Sequence, residues 1–248
     1  MSDVTGVTTP DATQVRDPGS GRIDPPGVGG GHDGRRRGPA TWQIVVLALV
    51  VVLVAGVVGW GIGNRGGSDP GKDSVDVGFF YDMTAHHQQA LTMALDYIRN
   101  GNDPRLLQMA REIVTYQSSE IGAMNTYLTQ WGRLGDEPAL AMGWMQPPIP
   151  RSEMPGLATT AQMAQLAAAR GFELDDLFTQ LMIQHHAGGI HMAAYAATHA
   201  EKQSTRDLAA AMDDGQRGEI SEMNTWRTRH GLKAVVPPLA KFTPAISG

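Results

Sequence analysis

Residues 83–94 read MTAHHQQALTMA, and residues 182–193 read MIQHHAGGIHMA. The second stretch repeats the first in a register of 99: Met83/Met182, His86/His185, His87/His186, Met93/Met192 and Ala94/Ala193. At about 100° per residue, Met83, His86, Ala90 and Met93 fall on one helix face, and Tyr97 continues it. His87 lies at the edge of that stripe. Met182, His185, Gly189 and Met192 form the equivalent stripe in the second stretch. Adjacent histidines on a helix point about 100° apart, so both cannot enter one apolar environment. A buried polar group needs a partner, and here the need arises twice.

The repeat continues outward. Phe79 matches Phe178, and Gln117, Glu120, Ile121, Met124 and Asn125 match Gln216, Glu219, Ile220, Met223 and Asn224, all in the same register. Gly132 matches Gly231. Each half therefore reads as one long helical hairpin, and the two predict an all-α four-helix bundle with a long connection. Ser74 caps a first helix running to about Asn100. Asp103-Pro104 is a cap and first-turn pair for a second, which runs to Trp131 and stops at Gly132. Residues 133–158 hold five prolines and read as a crossover loop. Its Met142, Trp144, Met145 and Met154 read as a cover over the bundle. A short helix is expected over Thr160–Arg170, ending at Gly171. A third long helix follows over about Glu173–Ala200. A fourth starts after Ser204, with Asp207 three residues on, and ends at His230-Gly231.

Upstream, residues 1–41 are rich in Gly, Pro and Asp and read as a disordered tail. Trp42 to Trp60, WQIVVLALVVVLVAGVVGW, follows, with no charge between Arg37 and Arg65. About 20 apolar residues cross a bilayer as a helix, and a Trp at each end suits the interfaces. Arg35-Arg36-Arg37 precede the run, so the positive-inside rule puts the N-terminus in the cytoplasm and the rest outside. The expected map is a cytoplasmic tail 1–41, a transmembrane helix 42–63, a linker 64–74, the bundle 75–231 and a tail 232–248. The localisation is then a single-pass cell-membrane protein with its C-terminal domain extracytoplasmic.

Composition narrows the chemistry. A net charge of -5 argues against a nucleic-acid partner. The absence of cysteine excludes disulfides and thiolate metal sites. No nucleophile elbow, P-loop or zincin motif occurs. Soft metal chemistry would have to use the 13 methionines, the 8 histidines and carboxylates. On the second helix Gln117, Glu120 and Met124 share a face, as Gln216, Glu219 and Met223 do on the fourth. Met at helical spacing is commonly core filler, and a His pair bonded to Glu120 or Glu219 would satisfy one ring without metal. His191, Tyr195 and His199, spaced i, i+4, i+8, form a secondary site or a polar face.

The segments FFYDMTAHHQQALTMA, QSSEIGAMNTYLTQWG and GQRGEISEMNTWRTRHG resemble the domain-of-unknown-function 305 family over about Val75 to Gly231. The resemblance implies a ferritin-like fold, export, and, for some members, copper binding or copper resistance in the bacterial envelope. Carried over by residue, the implied metal ligands are Met83, His86, His87 and Met93, with Met182, His185, His186 and Met192. Secondary candidates are Glu120, Glu219, Met124, Met223, His191 and His199. Two positions depart from the family: Gly189 replaces Ala, and Trp226-Arg227 with His230 replace the usual ending. Gly188-Gly189 is expected to weaken its helix by about 1 kcal/mol per glycine.

Three functions follow from these residues. The first is a membrane-anchored extracytoplasmic copper-binding protein, with Cu(I) preferred because thioethers are soft. Its partners would be the membrane, the metal ion, and a second copy or a metal donor or acceptor protein. The site is expected to weaken in mild acid, since free imidazole has a pKa near about 6.5. The second is a metal-free interaction or sensory domain. The third, a di-iron-type enzyme, needs Glu-x-x-His elements, and the sequence contains none.

Overall fold

The computed structural model describes residues 68–237. The expected transmembrane helix 42–63, the tail 1–41 and the end of the C-terminal tail lie outside the described residues. Among those described, no helix is long and apolar enough to cross a membrane.

Five α-helices, and no strand, occur among the described residues: α1 Val75–Asn100, α2 Pro104–Gln130, α3 Thr160–Ala168, α4 Gly171–His199 and α5 Gln203–Arg229. α1 starts where the Ser74 hydroxyl accepts the Val77 N–H at 3.3 Å. α2 starts where Asp103 accepts two backbone N–H groups at 2.9 Å beside Pro104. Gly132 and Gly231, matched in the repeat, follow α2 and α5 with φ of 65° and 79°, a region that favours glycine.

Three boundaries differ from expectation. α3 stops at Ala168, and Gly171, at φ 57°, opens α4 instead of closing α3. α5 begins at Gln203, so Ser204 lies inside it and does not cap it. α5 has no side-chain cap; the turn before it is held from the other hairpin, where the buried Asp76 carboxylate of α1 accepts Glu201 N–H at 2.8 Å and Lys202 N–H at 2.9 Å. Replacing Asp76 with Ala would leave both donors unpaired. It should cost about 1–2 kcal/mol in denaturant unfolding.

The hairpins α1–α2 and α4–α5 pack through α1 and α4, which run antiparallel. Asp76 meets the end of α4, the His86 and His185 rings stack with centroids 3.7 Å apart, and Tyr97 stacks on Phe178 at 4.4 Å. Of these contacts, only His86 and His185 are counterparts in the repeat, so a pseudo-twofold axis relating the hairpins passes near them. The antiparallel crossing pairs Met83 with Met192 and Met93 with Met182, each pair in its own apolar cluster. Along both helices the histidines separate these two clusters, so a polar layer divides the core.

The crossover between Gln130 and Thr160 holds one single-turn 3₁₀ helix, Arg151–Glu153, and an isolated antiparallel bridge between Ala141 and Ile149. It does cover the bundle: Ala141, Met142 and Met154 are buried in the first cluster. The described part of the expected C-terminal tail also docks. Asn224 exchanges hydrogen bonds with the Val235 backbone at 3.0 and 2.7 Å, and Arg227 donates to the Lys233 carbonyl at 3.0 Å.

Candidate metal centre

All eight primary residues expected from the sequence, Met83, His86, His87, Met93, Met182, His185, His186 and Met192, are fully buried. Each imidazole makes one hydrogen bond, in every case through Nε2. His86 Nε2 meets the Pro155 carbonyl at 3.0 Å, and His185 Nε2 meets the His86 carbonyl at 2.9 Å. His87 Nε2 meets Glu120 at 2.7 Å, and His186 Nε2 meets Glu219 at 2.5 Å. A carbonyl or an ionised carboxylate only accepts, so Nε2 carries the proton in all four rings. A neutral ring then holds a bare lone pair on Nδ1. All four Nδ1 atoms are buried without a partner.

Electrostatics keep the central pair neutral. Burial, then the neighbouring His87, lowers the His86 pKa to about 3. Burial, then the charge of His86, holds His185 well below the ordinary imidazole range. Glu120 and Glu219 retain 17% and 24% side-chain exposure, so each His–Glu pair links an interior ring to water.

The secondary candidates divide. Glu120 and Glu219 bond the protonated nitrogens, the place of a group that orients a ligand. Met124 and Met223 are buried and join the first and second clusters respectively. His199 is exposed, donates through Nδ1 to the Tyr195 carbonyl at 2.9 Å and stacks on the Tyr195 ring at 3.9 Å. His191 is half-buried, and burial lowers its pKa. Neither lies in the layer formed by the two His pairs. Among the described residues, no group of three or more His, Asp or Glu is placed to hold a metal ion. A metal held here would need thioether sulfur beside imidazole. The donor set fits one: four unpartnered lone-pair nitrogens lie in a core with methionine clusters on both sides.

Several contributors were not singled out from the sequence. Asp82 accepts the Met142 N–H and the Trp144 indole N–H, both at 2.7 Å, and pairs with Arg151 at 3.2 Å. Burial raises the Asp82 pKa against these three partners. Gln89 bonds both the N–H and the carbonyl of Ala158, at 2.7 and 2.9 Å. Gly188 exists for space: a Cβ there would stand 1.9 Å from the Pro155 carbonyl oxygen. At Gly189 a Cβ would stand 2.2 Å from Gln216 Oε1. The glycine pair that weakens α4 is therefore what admits the loop and the Gln216 amide. The signal lay where the repeat fails: Asp82 aligns with Leu181, and Gln89 aligns with Gly188.

Comparison with known proteins agrees with this architecture. A putative secreted protein from Streptomyces coelicolor, in the family described as a domain of unknown function, DUF305, is 32% identical with a TM-score of 0.62. The match covers 68% of this chain and 99% of that one. A DUF305 fragment from Deinococcus radiodurans is 27% identical with a TM-score of 0.53, over 62% and 96% of the two chains. CopM in its Cu(I)-bound form is 29% identical over 62% and 96%, with a TM-score of 0.49. An uncharacterized protein of Acanthamoeba polyphaga mimivirus is 27% identical over 90 residues, 36% of this chain and 52% of that one. The matched region thus spans about half the length of that curated relative. The paired His-His helices and the hairpins that carry them fall within residues 76–227, the region that matches the DUF305 family, and the chain belongs to that family.

Proposed function

We propose that this protein binds copper, as Cu(I), through buried imidazole and thioether side chains of a ferritin-like four-helix bundle. The observation that carries the reading is the set of four interior Nδ1 lone pairs whose opposite nitrogens are already committed. Metal-ligating histidines characteristically donate their other N–H to a carbonyl or carboxylate, the pattern of all four rings. Pseudo-symmetry suggests two equivalent positions. Met83, Met124 and Met192 would serve one, and Met93, Met182 and Met223 the other, with His86, His87, His185 and His186 between them. Bound copper would supply a soft cation stored away from water and thiols. Thioether and neutral imidazole bring no charge, and each His–Glu pair brings one carboxylate. One carboxylate per position balances a monovalent ion and leaves a divalent ion undercompensated in the interior. Softness and charge therefore favour the same oxidation state.

Replacing His86 and His87 with Ala should lower affinity or bound metal by at least about tenfold at one equivalent, and replacing His185 and His186 should do likewise. Changing Met83, Met93, Met182 and Met192 to Leu should retain the fold and remove the preference for Cu(I) over Zn(II). Wild-type stoichiometry and preference in all three variants would contradict the assignment. The metal-free sensory reading rests on the two His–Glu pairs, which satisfy one nitrogen of each ring without an ion. It wins if the purified protein takes up no copper.

The extracytoplasmic location is part of the proposal, with residues 42–63 as anchor and the Arg35–Arg37 triplet on the cytoplasmic side. Protease added to intact cells should digest the bundle and spare an N-terminal tag. The reverse pattern would remove the location while leaving the metal reading intact.

A further inference from the structure

The crossover loop is hydrogen-bonded to one face of α1, while on α4 it packs closely at Gly188 and sets Trp144 against the Tyr195 ring. Asp82, His86 and Gln89, at i, i+4 and i+7, share that face. They hold, in order, Met142 and Trp144, Pro155, and Ala158. The repeat-related residues Leu181, His185 and Gly188 offer nothing comparable, and the His185 ring bonds the His86 carbonyl instead. The loop delivers two thioethers into the first cluster. Met142 is fully buried with φ 68°, the one non-glycine residue at positive φ among the described residues. That conformation turns a side chain inward at a position where glycine would be easier. Met154 is 3% exposed and immediately precedes Pro155, whose carbonyl holds His86. Together with Met83, Met124, Met192 and Met212 they place six methionines in one cluster.

We propose that the crossover loop is a metal-dependent lid on the first position only, with Met142 and Met154 as additional thioether donors to a soft monovalent cation. This rests on the copper reading above. The lid makes the two positions unequal. The first gains two sulfurs and a His86 orientation that depends on loop closure, while the second, which the loop reaches with Ala158, draws its sulfurs from bundle helices alone. An ion held by loop sulfurs stabilises the closed loop, and an open loop withdraws both sulfurs and the proton acceptor of His86 together.

The test is titration of the full chain in detergent with Ag(I), a redox-inert soft monovalent probe, in wild type and in Met142→Leu/Met154→Leu. Hydrogen exchange of the Met142 and Ala158 amides is followed in parallel. Wild type should bind two ions of unequal affinity, and binding of the tighter one should slow exchange at both amides. The double variant should lose that affinity by at least tenfold, keep the weaker ion, and lose the ion-induced protection. Gln89→Ala leaves the core methionines untouched, and should weaken the same ion and speed Ala158 exchange. Unchanged titration of both ions in the double variant, or equal weakening of both, overturns the lid, as does unchanged binding in Gln89→Ala. Failure of wild type to bind Ag(I) at all overturns the copper reading and the lid together.

Discussion

Acidifying the metal-free protein from about pH 7 to about pH 5 is expected to remove about 2 kcal/mol of folding stability through His86, with a further loss in the same direction through His185. The sign follows from the direction of the shifts. His86 and His185 have depressed pKa values in the folded state, His86 to about 3, against an ordinary 6.5. Below 6.5 the unfolded chain takes up protons that the folded core refuses, so stability rises with pH across this window and falls on acidification. Asp82, Asp175 and Glu222 act oppositely, because burial raises their pKa and the folded state protonates first. Their offset belongs to the lower part of the range, near ordinary carboxylate values. The loss is large beside a typical total of about 5–15 kcal/mol. Urea unfolding at a series of pH values, with chelator present, measures it, and removing His86 should reduce the slope. A flat profile from pH 7 to 5 would mean that the rings are not held neutral. Mild acid was expected from the sequence to weaken the site through proton competition. With His86 neutral down to about 3, protons do not compete at that ring near pH 5, and loss of metal there should track loss of the fold.

Gly188→Ala should destabilise the protein by about 2 kcal/mol or more, the scale of forced overpacking, although Ala is the better helix former by about 1 kcal/mol. The new methyl would stand 1.9 Å from the Pro155 oxygen and 2.8 Å from the Gly156 nitrogen, both backbone atoms that cannot rotate away. The loop must lift, and with it goes the carbonyl that holds His86. The same substitution at Gly215 or Gly218 of α5, where nothing lies within 4 Å, supplies the control. There the change should stabilise, by up to about 1 kcal/mol. A Gly188→Ala variant as stable as those controls, with the loop amides still protected, would show that the contact is slack.

The hairpins, the buried stripes and the pairing of histidine with glutamate were legible because they are local or repeated. A register of 99 brought the His-His elements and the Gln-x-x-Glu elements into correspondence before any tertiary contact was known. Ser74 and Asp103 could be read as caps because each bonds within its own helix start. The contact that holds the turn before α5 could not, since Asp76 reaches Glu201 from 125 positions away. Ser204 was the local candidate for a cap, but it lies inside α5, which has no side-chain cap. Which His nitrogen faces the core was equally hidden. Four acceptors decide it, two of them backbone carbonyls, and no side-chain pattern records a carbonyl. Gly188 looked like a flaw in a helix because its purpose is the approach of a loop residue 33 positions earlier.

The central claim is that four buried Nδ1 atoms carry lone pairs available to a soft cation. Nitrogen NMR of the full chain, labelled at the histidine rings and titrated with Ag(I), tests it most directly. In the metal-free protein the rings of His86, His87, His185 and His186 should each show a protonated Nε2 and an unprotonated Nδ1. Addition of Ag(I) should shift the Nδ1 resonances and introduce coupling to silver, leaving Nε2 protonated. Nδ1 resonances that carry protons beforehand, or that stay unmoved while Ag(I) is added in excess, would contradict the account.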